Sequence, residues 1–95
     1  MVNLEYNNIR AGRSDHSKNL VVRGEVINKG DKAIATVGLR IVIFVRNVSI
    51  ASVVVLINGI PGGSTKVFEK DVEDLEFDAI GKDVTRFDVF VESAY

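Results

Sequence analysis

Residues 40–58 constrain the fold of this chain more than any other segment. They predict two β-strands joined by a short turn at 46–49, and each strand is apolar on both faces. β-branched residues dominate both strands, and such residues favour extended backbone over helix. The second apolar run ends after about ten residues, at the turn 58–63, whereas a helix that spans a membrane needs about 20. The segment therefore predicts a hairpin within a sheet and no membrane insertion.

Apolar and polar residues alternate through most of the remaining sequence, which indicates strands. Polar and glycine-containing turns separate the runs, and residues 10–18 are predicted as a loop. Short strands with turns between them predict an all-β fold, a single antiparallel β-sandwich of the immunoglobulin or fibronectin-III type, with about seven strands. Residues 1–95 form this one domain. The predicted strands lie near 2–9, 19–28, 34–46, 50–57, 64–71, 75–80 and 84–92.

The alternation also assigns faces to the strands. In the second predicted strand, the inward set is the one that contains no charge, since Arg23 and Glu25 belong to the other face. In the turn 28–32, Gly30 is expected to adopt a positive φ. The residues predicted to face inward are Leu20, Val22, Gly24 and Val26, and in the last strand Phe87, Val89 and Val91.

Composition argues against several classes of function. Twelve basic and thirteen acidic residues give a net charge of -1, so the chain lacks the basic field of a nucleic-acid-binding protein. The absence of cysteine excludes disulfides and thiolate metal sites. His16 is the single histidine and lies in the predicted loop, where nothing in its spacing supports a zinc site or a nucleophilic triad. We therefore expect no enzymatic activity and no cofactor.

An acidic segment at 71–78 supplies the alternative function. Oxygen ligands from such a segment can bind calcium, and the nearest candidates for a cation site are Asp71, Glu73 and Asp74. A module that binds carbohydrate through the same segment is the second version of this alternative function. The order of an EF-hand is absent, and alternation places Glu76 and Asp78 on one exposed face, so a solvated surface is the favoured interpretation.

Residues 22–30, Val-Arg-Gly-Glu-Val-Ile-Asn-Lys-Gly, resemble the G-x-V-x-N-x-G strand and turn of small prokaryotic immunoglobulin-like domains of the FxLYD and CARDB type. Residues 57–62 resemble the L-x-P-G corner of these families, and the similarity covers residues 18–92. In place of F-x-L-Y-D, this chain has Ile-Val-Ile-Phe-Val at 41–45. The resemblance implies a non-enzymatic module in an extracytoplasmic or membrane-anchored protein, and it supplies no catalytic residues.

The two-faced hairpin also predicts an interaction surface. Arg40 and Arg46 mark one face of the first strand as outward, which leaves apolar side chains exposed between them. Such a patch is an aggregation hazard unless something covers it. Three kinds of cover are possible: a second copy of the chain, another protein or domain, and the chain's own N-terminal strand or a loop. The function expected is therefore a protein-interaction or structural module, and the predicted interface residues are Val42, Phe44, Val53, Val55 and Ile57.

Overall fold

The structure is a computed structural model that describes residues 3–95, apart from the side chain of Asp74. Within this range, no helix is long and apolar enough to cross a membrane. Strands account for nearly all of the regular structure. The elements are β1 (Leu4–Arg13), β2 (Asn19–Asn28), β3 (Ile34–Val45), β4 (Val48–Ile60), β5 (Thr65–Glu76), α1 (Phe77–Ile80), a 3₁₀ turn (Gly81–Asp83) and β6 (Val84–Ala94).

The six strands form two three-stranded antiparallel sheets. The first sheet has the order β1-β2-β5, and the second sheet has the order β4-β3-β6. Their inner faces pack together around one apolar core, which confirms the predicted all-β sandwich. Each sheet has one central strand, so β2 and β3 are hydrogen-bonded on both sides and the other four strands are edges.

The core follows the predicted alternation in the two central strands. The inward set of β2 is buried as predicted, and β3 contributes Val37, Leu39, Ile41 and Ile43 from the facing sheet. Gly24 is a member of this inward set, and no side chain would fit there. A Cβ at this position would lie 2.7 Å from Cζ of Phe68 and would also meet Ile9. The glycine therefore leaves the space into which two larger side chains pack.

The segment predicted as a separate strand near 75–80 is not one. Residues 75 and 76 end β5, and Phe77–Ile80 forms a single helical turn, α1. The pairing of β5 with β2 ends at Asn19 opposite Glu76, after which the Phe77 N–H donates to the Lys18 carbonyl oxygen at 2.9 Å. Beyond that point β5 has no neighbouring strand to pair with, so extended backbone is no longer stabilised.

The prediction of a loop over residues 10–18 is also corrected, because β1 continues to Arg13. The register of β1 against β2 shifts between Asn7 and Arg10, and Asn8 has a φ of 54°. This β-bulge interrupts the alternation while the strand itself continues. It also brings Ile9 into the core beside Gly24.

Two turns meet at one end of the sandwich. The backbone N–H of Asn28 donates to Ser64 at 2.9 Å, and the N–H of Gly63 donates to the carbonyl oxygen of Asn28 at 2.9 Å. Gly63 has a positive φ of 74°, whereas Gly30 does not, contrary to the prediction. The turn at Gly30 is closed instead by its own N–H donating to Asn28 Oδ1 at 3.0 Å, which requires no left-handed backbone.

Candidate functional site

The outer face of the second sheet carries the candidate interaction site. β3 runs along its centre, with β4 on one side and β6 on the other. The cross-strand pairs place Leu56 beside Gly38, and both Val54 and Phe90 beside Arg40. We call this surface the outer face, and its members are Arg40, Val42, Phe44, Val54, Leu56, Arg86, Asp88, Phe90 and Glu92.

Three apolar side chains of the outer face are strongly exposed. Leu56 is 68 % exposed, Phe90 52 % and Val54 44 %. Gly38 has no side chain to separate Leu56 from β6, and the space where its Cβ would lie is bordered by Ser93 Oγ at 2.7 Å and Leu56 Cδ2 at 3.5 Å. Together the three side chains expose apolar area on the order of 300 Å², the size of the largest apolar patch on a typical monomer, which is often a functional one.

Polar side chains cover the rest of the outer face. Arg40 pairs with Glu92, and Arg86 Nε lies 3.4 Å from Asp88 Oδ1. The guanidinium carbon of Arg86 also lies 3.9 Å from the centre of the Phe44 ring. The stacked arginine half-buries Phe44, so the chain itself shields part of the predicted apolar patch.

The five predicted interface residues separate onto two faces. Val42 and Phe44 lie on the outer face and are half-buried. Val53, Val55 and Ile57 face the core, and the last two are only 5 % exposed. The prediction that these three residues belong to an exposed face is therefore wrong. The side chains that β4 exposes are those of Val54 and Leu56, which alternate with them.

One β-bulge decides which face of β4 is exposed. Next to the hairpin turn, Val45 pairs with Val48 and Phe44 with Ser49. The register then shifts by one residue, so that Ile41 pairs with Val53. A shift of one residue moves every later side chain of a strand to the opposite face. The bulge lies beside the turn, where the sequence carries no glycine or proline to indicate it.

The outer side of the first sheet is crossed by charged side chains. Arg23 reaches across it, with Nε 2.5 Å from Glu69 Oε1 and Nη2 donating to the Arg13 carbonyl oxygen at 3.0 Å. Val67 is exposed on this side but lies opposite Glu25. Charged side chains thus cross the first sheet, and the larger apolar exposure belongs to the second.

The acidic segment is divided between two elements. Asp71 and Glu73 are exposed on β5, while the predicted third ligand, Asp74, has a side chain outside the described part. Asp78 lies in α1, with Oδ2 3.9 Å from Nη2 of Arg13. Among the described side chains, no group of three His, Cys, Asp or Glu residues could hold a metal ion.

In the loop that contains His16, the serine hydroxyl groups form hydrogen bonds with the backbone of the loop itself. The His16 N–H donates to Ser14 Oγ at 3.2 Å, and the Asn19 N–H donates to Ser17 Oγ at 3.1 Å. His16 and Asp15 are exposed to solvent. Both serine oxygens accept hydrogen bonds from turn backbone, as is usual for serine in loops.

An open cleft of about 620 Å³ lies between the edges of β1 and β6. Ile9 and Phe87 form apolar parts of its wall, and Arg10 and Arg86 contribute positive charge. The described residues that line it include no Asp, Glu, His or Cys. Tyr6 and Thr85 supply hydroxyl groups to the wall, and no carboxylate or imidazole lies among the described lining residues to activate them.

No protein-family model matches this chain, and neither a curated protein nor a solved structure is significantly similar to it. The resemblance to FxLYD and CARDB domains is thus not confirmed by a family match. The two-sheet antiparallel fold is established by the strand pairing of the chain itself.

Proposed function

We propose that this chain is a non-enzymatic protein-interaction module that associates with a second copy of itself through the outer face. The exposed apolar group Val54, Leu56 and Phe90 is the observation that carries the proposal. These side chains project from a rigid sheet that is anchored in the core by its opposite side. Association would remove them from water with little loss of backbone freedom.

The charges of the outer face suit a second copy. Arg40 and Arg86 are balanced by Glu92 and Asp88, and each arginine is paired within the same chain. Two outer faces therefore meet without net repulsion. Covering about 300 Å² of apolar surface on each copy at roughly 25 cal/mol per Å² is worth several kcal/mol before the cost of association is subtracted.

The finer fold assignment is also a proposal. We propose an immunoglobulin-like sandwich related to the FxLYD and CARDB modules, in which β1, β2 and β5 correspond to strands A, B and E, and β3 and β6 to strands C and F. The G-x-V-x-N-x-G residues support it, because Gly24 leaves space in the core and Asn28 holds the turn that contains Gly30. The families to which this chain is compared act as binding or structural modules, which agrees with the proposed function.

Sedimentation equilibrium over a wide range of concentration tests the proposed function. We expect the average mass of the wild type to rise with concentration toward that of a dimer. Leu56→Lys and Phe90→Lys each place a charge in the outer face and should weaken association through that face about ten-fold or more, equivalent to about 1.4 kcal/mol. Both sites are exposed, so the fold should tolerate the lysine.

The matched control is Val67→Lys, which adds the same charge to an exposed apolar position of the first sheet. It should associate like the wild type. A wild type that stays monomeric at the highest concentration, or outer-face variants that associate as strongly as the Val67 variant, would contradict the proposal.

A further inference from the structure

β4 differs from the other edge strands in carrying no charged residue. An edge strand presents unpaired N–H and C=O groups, and proteins protect such edges with charged residues. β1, β5 and β6 each contain both acidic and basic residues. Lys70 of β5 is exposed although it lies opposite the core residue Val22, an arrangement that blocks pairing. β4, with 13 residues, contains no charge.

The sequence of β4 is symmetric in polarity about Val55. Ser52 and Asn58 are polar, and the five residues between them are apolar. The side chains alternate between the exposed outer face and the core. The regular part of the strand has limits on both sides of Val55, since a register shift occurs near Ile50 and Gly59 has a positive φ of 69°.

This symmetry indicates that β4 of a second copy can pair with the open edge of β4. When two antiparallel copies of β4 meet with Val55 opposite Val55, each Val54 lies opposite Leu56 of the second copy. On the same face, each Ser52 lies opposite Asn58 of the second copy. Apolar residues thus meet apolar ones, polar residues meet polar ones, and β4 itself brings no charged residue to the junction.

We infer that two copies of the chain pair edge to edge through β4, antiparallel and about a two-fold axis at Val55. The two second sheets then become one six-stranded sheet, and its outer side joins the two outer faces. The exposed Val54 and Leu56 of both copies form one continuous apolar group at the centre. This contact goes beyond the proposed function: it joins the copies along the edge of β4, whereas packing of the outer faces covers Val54, Leu56 and Phe90, and each contact can form without the other.

Disulfide cross-linking tests the register, since the natural sequence contains no cysteine. Two single variants, Val54→Cys and Leu56→Cys, are distinguished by tags of different size, mixed in equal amounts and oxidised. Directly opposed residues have Cβ atoms about 5 Å apart, whereas diagonal ones are about 7–8 Å apart. We therefore expect the mixed disulfide between positions 54 and 56 to exceed each symmetric disulfide several-fold.

Val67→Cys is the matched control, because it is a valine-to-cysteine change at an exposed position of the first sheet. It should form disulfides only at the rate of random collision. If the mixed 54–56 disulfide forms no faster than disulfides of this control, the β4 register is overturned.

Amide hydrogen exchange separates edge pairing from packing of the outer faces. Edge pairing should slow exchange of the alternate β4 amides that point away from β3 as concentration rises, and should leave the amides of β1 unchanged. Phe90→Lys, which weakens packing of the outer faces, should retain this protection, because Phe90 lies on β6 at the opposite edge of the sheet from β4. An oligomer whose β4 amides gain no protection, and which Phe90→Lys dissociates, would overturn edge pairing while leaving the proposed function in place.

Discussion

Asn28, the last residue of β2, donates a buried hydrogen bond from its side-chain amide to the carbonyl oxygen of Ile60, the last residue of β4, at 3.0 Å. The same amide donates to the Lys32 carbonyl oxygen at 2.7 Å. β2 belongs to the first sheet and β4 to the second, so one side chain ties the two sheets and the intervening turn together.

Asn28→Ala should therefore be strongly destabilising. The change leaves two carbonyl oxygens and the Gly30 N–H without their partner at a position that is 1 % exposed. Unsatisfied buried groups cost about 1–3 kcal/mol each, partly relieved if water enters, so we expect a loss of about 2–4 kcal/mol. Urea unfolding monitored by circular dichroism measures it. Asn58→Ala, at an exposed asparagine of β4 whose Oδ1 accepts an exposed hydrogen bond from Thr36 Oγ1 at 3.3 Å, should change stability by less than about 0.5 kcal/mol.

Gly24→Ala should destabilise the core by overpacking. The added Cβ would lie 2.7 Å from Cζ of Phe68, which is itself buried, and would also contact Ile9. We expect a loss of about 1–3 kcal/mol in thermal or urea unfolding. Gly30→Ala is the control, because its nearest new contact is Asn28 Oδ1 at 3.4 Å. Equal effects of the two alanines would contradict the packing of Ile9 and Phe68 described above.

Gly62→Ala tests the close approach of two turns. A Cβ at Gly62 would lie 2.6 Å from the carbonyl carbon of Asp31 and 3.0 Å from the carbonyl oxygen of Gly30. These are backbone atoms, which cannot rotate away as a side chain can, so we expect a loss of about 2 kcal/mol or more. Unfolding with urea again provides the measurement. A variant as stable as wild type would show that the turns 29–33 and 61–64 do not pack together.

Arg86 and Phe44 should show measurable coupling. A double-mutant cycle with Arg86→Ala and Phe44→Leu should give a coupling free energy of about 0.5–1 kcal/mol, the value expected of a cation stacked on a ring at the protein surface. The control cycle pairs Arg86→Ala with Asp88→Asn, whose exposed ion pair should contribute less than about 0.5 kcal/mol and should weaken in salt. A Phe44 cycle with no coupling would indicate that the ring is shielded by something other than Arg86.

At the candidate site, residue patterns predicted some of the exposed side chains and failed for others. The excess of apolar residues in the hairpin correctly predicted that the second sheet exposes apolar side chains, and Arg40 correctly placed Val42 and Phe44 outside. The assignment of β4 failed because all of residues 53–57 are apolar, so the sequence gives no contrast between its two faces. A bulge in the pairing with β3 made that choice.

The sequence by itself determined the class of fold and the core residues of the two central strands, β2 and β3. Alternating β-branched residues cannot bury one face except in a sheet, and a sheet with one apolar face requires a second layer. Only the tertiary structure decided which strands became edges, because that depends on contacts between residues far apart in the chain. The open edge of β4 and the arginine over Phe44 both follow from strand order and register, which local patterns do not encode.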